Sequence, residues 1–274
     1  MTQLVDNIQT YPSNKLLFRD AGPILSTRSL EKNHERLSEL LHPGMSVLDI
    51  GCGSGSITRG IAEKVIPNGQ VIGIDISDNL ILEAYNRYKN ISNLSFKVGD
   101  IYSLPIDRQF DLVFAGRIFH WLKRPYDALS KMIEYVKPGG RIIIHEPNIE
   151  QLVWQPNPPN SFKLFYNAFL EWRSQLQLDN TMGDKLSQMF ANAGLINIVE
   201  TQQPEITNSS DPDFKIRVKI WEDIMTIHGS QLIQYGLVSD QQMLQARKDF
   251  KKWLANSATY QSVSFIAVDA IVPT

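Results

Sequence analysis

The chain has 274 residues, 43% of them hydrophobic and 20% charged, with 27 basic against 29 acidic side chains and a formal net charge of −2. This composition supports a sizeable core and excludes a disordered, highly charged tail; the charge balance gives no global attraction for a nucleic-acid backbone. One cysteine excludes an internal disulfide and a cysteine-based zinc site, no apolar run reaches the ~18 residues of a membrane span, and the first residues lack a secretory pattern, so the expected location is the cytoplasm.

From Met45 to Glu146 short β-branched apolar runs alternate with segments of helical period, the pattern of parallel strands joined by crossover helices. Strands are expected at 46–51 (SVLDIG), 70–76 (QVIGIDI), 110–116 (FDLVFAG) and 141–146 (RIIIHE), with a weaker run at 94–100 (LSFKVGD). One helix covers Ser56 to Val65, a second opens on a Ser77/Asp78 cap, and a third is bracketed by Pro125 and Pro138-Gly139-Gly140. Beyond 146 the rhythm changes. QPNPPN (155–160) is a turn-rich break before a helix whose Phe162, Phe165, Tyr166, Phe169, Trp172 and Leu176 fall on one face. Residues 183–194 read as a helix stopped by Gly194, followed by a strand LINIVET. A polar stretch at 208–213 precedes two helices, about 214–234 and 240–255, and SVSFIAVDAIV (262–272) closes the chain as an alternating strand.

The chemistry concentrates in VLDIGCGSG, Val47 to Gly55: an apolar strand that ends in Asp49, then Gly51, Gly53 and Gly55 at alternate positions before a helix. Glycines there let a ligand approach the backbone, and the helix start offers free N–H groups. A dinucleotide fingerprint needs glycine at the sixth position of its motif; counting from Gly51 that position is Ser56, and from Gly53 it is Thr58. The spacing therefore disfavours NAD, and no Lys-Ser/Thr pair follows to make a P-loop. Asp75 ends the second strand 20 residues after Gly55, the spacing of a carboxylate that accepts ribose hydroxyls. Asp100 ends the third run, well placed to meet an exocyclic amine at the far side of a nucleoside. An adenosine with a non-phosphate tail fits this set.

In the order VLDIGCGSG, VIGIDIS, GDIYSLP, FDLVFAGRIFHWL and VKPGGRIIIHE, the chain resembles the class I S-adenosylmethionine-dependent methyltransferases. The resemblance implies an α/β fold: a doubly wound, mostly parallel seven-stranded sheet with helices on both faces, an antiparallel last strand and a helical cover. It implies an N-terminal helical cap at 1–43, with Tyr11 and Phe18 over the site. A Rossmann-like core follows at 44–202 with a cover helix near 160–178, then a helical lid insertion at 203–260 and the final strand at 261–274. It implies S-adenosyl-L-methionine as cofactor, with Asp49, Gly51, Gly53 and Gly55 at its methionine end. Asp75 and Ile76 then serve ribose and adenine, Asp100 and Ile101 the adenine amine, and Gly116 and Arg117 the methionine amino and carboxylate groups.

Several residues carry two readings. Asp49 either fixes the glycine loop by accepting its N–H groups or touches the ligand. His120, in RIFHWL, either takes a proton from the acceptor or packs on the cofactor, and His145 and Glu146 are expected at the cleft mouth as substrate-binding or catalytic groups. Arg117 either pairs the cofactor carboxylate or faces solvent. The Phe162–Trp172 stripe packs a cover helix down or lines an apolar pocket. Cys52 reads as a small unreactive side chain, and His34, His42 and His228 have no metal-ligand spacing, so no metal is expected. The expected reaction moves a methyl group in line to an O, N or C nucleophile of a small, partly apolar metabolite, with neither nucleic acid nor membrane as partner. The alternatives are methylation of RNA or protein, and a non-methylating use of the cofactor such as cyclisation. Oligomeric state carries no sequence signal.

Overall fold

The computed structural model describes residues 28–104 and 106–274; most of the expected N-terminal cap, with Tyr11 and Phe18, lies outside the described residues. Five strands lie parallel in the order β3-β2-β1-β4-β5: β1 (Ser46–Ile50), β2 (Gln70–Asp75), β3 (Leu94–Val98), β4 (Phe110–Gly116) and β5 (Val136–Gln155). The chain's last strand, β8 (Tyr260–Ile271), pairs antiparallel with β5, and β6 (Ile196–Gln202) pairs antiparallel on its other side. These are the seven strands that the resemblance implies. A short eighth, β7 (Glu205–Asn208), adds to the first half of β8.

The central strands are buried on both faces, which is why they read as unbroken apolar runs. Successive residues alternate between faces: Val47, Leu112 and Ile143 pack with Leu30, Leu37 and Ile61 on one side, whereas Leu48, Val113, Ile142 and Ile144 pack with Leu129, Leu186 and Phe190 on the other. The first layer is supplied by α1 (Leu30–Asn33), α2 (Glu35–Leu40) and α3 (Ser56–Lys64); α5 (Pro125–Glu134) and α7 (Met182–Asn192) supply the second. Helix α4 (Asp78–Tyr88) opens on Ser77, whose side chain accepts from Leu80 N, as its cap sequence predicts.

Two expectations about the second half are corrected. RIIIHE does not end a strand at 146; β5 runs on to Gln155 because Pro147 and Asn148 and, beyond a bulge, Val153, Trp154 and Gln155 find partners in β8, with Val153 opposite Ser262 and Trp154 opposite Gln261. The helix expected at 214–234 is broken at Lys219 into α8 (Phe214–Val218) and α9 (Ile220–Gln234). With α6 (Asn160–Gln175) and α10 (Asp240–Asn256), these helices build a separate aromatic-rich cluster. Phe162, Phe165, Phe169 and Trp172 of α6 are all buried in it, at roughly 1.5–3 kcal/mol per large apolar side chain. Among the described residues no helix is long and apolar enough to cross a membrane.

Candidate functional site

Strand order reverses at β1, which sends β2 to one side and β4 to the other. In open α/β sheets that switch opens a crevice at the strands' carboxyl ends. The chain leaves β1 there through Gly51, Gly53 and Gly55, all with left-handed φ, at 77°, 55° and 80°. Glycine is required sterically as well as conformationally: a Cβ at Gly51 would collide with Ile118 Cγ2, and one at Gly55 would sit 2.6 Å from Phe96 Cζ. Ile74 O pins the bend by accepting from Gly51 N (2.7 Å) and Cys52 N (2.9 Å).

Asp75 clamps the same bend from β2. Its Oδ2 accepts from Gly53 N and its Oδ1 from Ser77 N, each at 2.9 Å. Each carboxylate oxygen has a second lone pair, and Asp75 borders the main cavity. Burial raises its pKa. Asp49 lies beneath the loop, where its carboxylate accepts from Thr58 Oγ1 at 2.7 Å; burial pushes it up to about 7. Its side-chain partner is thus a hydroxyl on α3. Burial also raises the Cys52 thiol.

Asp100 and Ile101 stand apart from the cavity lining. Asp100 Oδ1 accepts from Tyr102 N at 3.0 Å, and Ile101 is buried in the core. Ile76 is half-buried just after β2. Gly116 and Arg117 do line the cavity, but the Arg117 guanidinium is engaged by a partner that sequence reasoning missed. Its Nη1 and Nη2 donate to the two oxygens of Glu205, each at 2.9 Å, and it lies over the Phe265 ring. Glu205 also accepts from Asn33 Nδ2 and pairs with Arg217 at 3.4 Å. Burial would raise its carboxyl, yet Arg117, Arg28 and Arg217 together hold it below the usual carboxylate range. Arg28 in turn is lowered to about 9 by burial and by Arg117.

The strand that continues past 146 also decides where His145 and Glu146 go, and neither reaches the cleft mouth. Being adjacent on a strand they point to opposite faces. His145 is buried with its Nδ1 2.9 Å from His34 Nδ1, and burial together with Arg117 lowers it to about 3. Glu146 is fully buried under the turn after β4. Its Oε1 accepts from Ile118 N (2.7 Å) and Phe119 N (2.8 Å), and its Oε2 from His120 N (3.2 Å).

His120 alone of the three expected catalytic residues borders the cavity. Its Nδ1 lies 2.5 Å from Glu146 Oε2. Burial lowers its pKa against the pull of Glu146, so the neutral ring donates from Nδ1 and keeps its Nε2 lone pair. Arg173 supports this turn from α6: its Nη2 donates to His120 O at 2.7 Å, its Nε to Asn180 Oδ1 at 2.7 Å, and its guanidinium lies 4.2 Å from the Trp121 ring centroid. Arg173 is the one buried charge of α6, adjacent to Trp172 at the end of the aromatic stripe. Glu205 and Gln261 gave no sequence signal.

These residues border one cavity of about 590 Å³, within the range of small-molecule sites. It runs from Gly51, Gly53 and Asp75 past Ile118 and His120 to Trp121, Phe169, Trp221 and Ile224. A small recess beside it is lined by Asp49, Gly51, Gly53, Ser54 and Arg117, and there Ser54 Oγ and Arg117 Nε are buried without a partner. The glycine bend, the acid with spare lone pairs and these orphaned polar atoms fit a nucleoside carrying a charged amino-acid tail.

This sheet order and glycine crevice are those of the S-adenosylmethionine-dependent methyltransferases. Residues 41–194 match the methyltransferase-domain family, and the chain belongs to it; S-adenosylmethionine is its cofactor. The chain is 32% identical over 167 residues to demethylmenaquinone methyltransferase of Staphylococcus carnosus, covering 57% of this chain and 69% of that protein. It is 36% identical over 111 residues to an uncharacterised 37.1 kDa protein of a Streptomyces fradiae transposon, a match that covers 40% of this chain and spans only 32% of that relative. In fold it is similar to Haemonchus contortus phosphoethanolamine N-methyltransferase 2, solved with phosphomonomethylethanolamine and S-adenosylhomocysteine. The TM-score is 0.58 at 19% identity, covering 97% of this chain and 61% of that one. The Bacillus subtilis YcgJ protein gives a TM-score of 0.57 at 16% identity, covering 88% of this chain and 97% of that one.

Proposed function

We propose that this chain moves a methyl group in line to an O, N or C nucleophile of a small, partly apolar metabolite. One observation carries the reading: the glycine bend with Asp75 and the aromatic wall of Trp121, Phe169 and Trp221 border a single cavity, with His120 between them. Bound S-adenosylmethionine supplies an electrophilic methyl on a sulfonium. Asp75 takes the ribose hydroxyls on its remaining lone pairs, with Ile76 beside the adenine. Asp49, Gly51, Gly53 and Gly55 frame the methionine end, and Gly116 and Arg117 hold its amino and carboxylate groups.

The protein's share is alignment and proton removal, since well-oriented reactants gain effective molarities of up to roughly 10⁵–10⁸ M. His120 accepts the acceptor's proton on Nε2, and Glu146 positions the ring and stabilises the charge that develops. The aromatic wall excludes water and seats the apolar part of the acceptor. Support for that class comes from the cavity's composition, from the net charge of −2 and from the likeness to demethylmenaquinone methyltransferase. Calorimetry with S-adenosylmethionine, followed by incubation of methyl-labelled donor with a cell extract, tests it. Binding and label in a low-mass product are expected; label in RNA or protein, or in nothing, overturns it.

A further inference from the structure

Gln261 borders the cavity with its amide orientation dictated by its neighbours. Its Oε1 accepts from two indoles at once, Trp154 Nε1 and Trp221 Nε1, each at 3.0 Å. An amide nitrogen cannot accept those two donors, so the oxygen position is unambiguous. The backbone is equally fixed: Gln261 lies in β8 between Trp154 of β5 and Thr207 of β7. The side chain is buried and borders the cavity, while Nε2 donates to no described residue. A donor that opens onto the cavity is solvated by water there, and a ligand that displaces the water without offering an acceptor leaves the donor unpaired at a cost in free energy. Trp221, whose indole this amide holds, lines the same cavity together with Ile220 and Ile224, a set suited to a flat ring.

Resting on the methyltransferase reading, we propose that Gln261 is a specificity-determining residue. Its amide N–H hydrogen-bonds a carbonyl or similar acceptor oxygen on a flat, apolar ring system, at a distance from the atom that is methylated. Trp154 and Trp221 are positioning residues for it. A ring without that oxygen leaves the donor unpaired and is rejected, as in sites built to read one polar group.

The test compares 2-acetylnaphthalene with 2-ethylnaphthalene, rings of one shape that differ in the carbonyl oxygen. Both are titrated by equilibrium dialysis at pH 8 into the full chain saturated with S-adenosylhomocysteine. The ketone is expected to bind about tenfold tighter, one hydrogen bond's worth. Gln261→Glu keeps an acceptor for both indoles and loses the donor; it is expected to erase the preference while S-adenosylhomocysteine affinity stays within about twofold. Gln261→Met serves as the second variant and should erase it as well. Equal affinity of the wild type for the two rings, binding of neither, or a preference that survives in both variants overturns the proposal. Failure of the methyltransferase reading has a different signature, loss of calorimetric binding of S-adenosylmethionine by the wild type.

Discussion

Glu146 Oε2 lies 2.5 Å from His120 Nδ1 while the other carboxylate oxygen holds the backbone N–H groups of Ile118 and Phe119. One buried carboxylate from β5 therefore sets both the turn after β4 and the tautomer of the ring upon it. A positioned base contributes about 10²–10⁴-fold, so His120→Ala is expected to lower kcat for methyl transfer by that order. S-adenosylmethionine affinity, read by calorimetry, should change by less than about threefold. Glu146→Gln should lower kcat less, and it should shift the pH at which the rate falls, because an amide does not stabilise the protonated ring. An unchanged pH profile in Glu146→Gln would remove Glu146 from the mechanism.

Asp75 accepts two backbone N–H groups and borders the cavity, so its removal has two consequences that separate by experiment. Asp75→Asn keeps one acceptor for the bend and is expected to melt within a few degrees of the wild type. A hydrogen bond to a charged group contributes about 1.5–3 kcal/mol, so cofactor affinity should drop about tenfold to a hundredfold. Asp75→Ala should lose both affinity and stability. Normal S-adenosylmethionine binding by Asp75→Asn would falsify the ribose assignment.

How far the sequence reaches is shown by the same residues. The glycine bend and Asp75 were legible because local geometry demands them: glycine at left-handed φ, and an acid at the end of the neighbouring strand. The central strands were legible because burial on both faces leaves unbroken apolar runs. Residues 147–155 were not, since Pro147 and the polar Asn148 and Glu150 break any strand pattern and only pairing with distant β8 extends the ladder. Four-residue β7 is too short to leave a pattern, and with it went Glu205. Gln261 acquires its meaning from Trp154 and Trp221, which are remote in sequence.

The raised pKa of Asp49, about 7, couples the cofactor site to pH. The ordinary value is 3.8, so the ligand-free fold favours the protonated form. This contribution to stability is full below pH 3.8 and lost as pH rises through about 7. A cofactor with a cationic ammonium and sulfonium favours the ionised carboxylate instead. Affinity is therefore expected to rise between pH 6 and 8, with a proton released on binding below pH 7. Calorimetry in two buffers of different ionisation enthalpy measures that proton, and Asp49→Asn should abolish its release.

The paired His34 and His145 work in the opposite direction on stability. Burial lowers both, His145 to about 3 from an ordinary 6.5, with Arg117 adding to the push on His145 and the His145 ring to that on His34. The unfolded chain therefore binds protons that the fold refuses. The stabilisation is complete above pH 6.5 and is lost progressively as pH falls toward 3. The urea midpoint is expected to drop between pH 7 and 5, and His145→Asn should flatten that slope. Equal slopes in the wild type and His145→Asn over this interval would show that this ring titrates as in the unfolded chain.

Glu205 joins three parts of the chain: Asn33 at the end of α1, Arg117 after β4 and Arg217 in α8. Replacing it by glutamine leaves Arg28, Arg117 and Arg217 close together with no carboxylate among them. Breaking a fully buried pair costs about 3–5 kcal/mol; the Glu205 side chain keeps 18% of its exposure, and solvent screening reduces the expected loss to about 2–3 kcal/mol. Glu205→Gln should lower the melting temperature accordingly and expose the 203–260 segment to limited proteolysis. If Arg117 meets the cofactor carboxylate, S-adenosylmethionine replaces the missing charge and restores more stability to the variant than to the wild type. Chloride at high concentration, screening the arginines without filling the site, should recover only part of that difference.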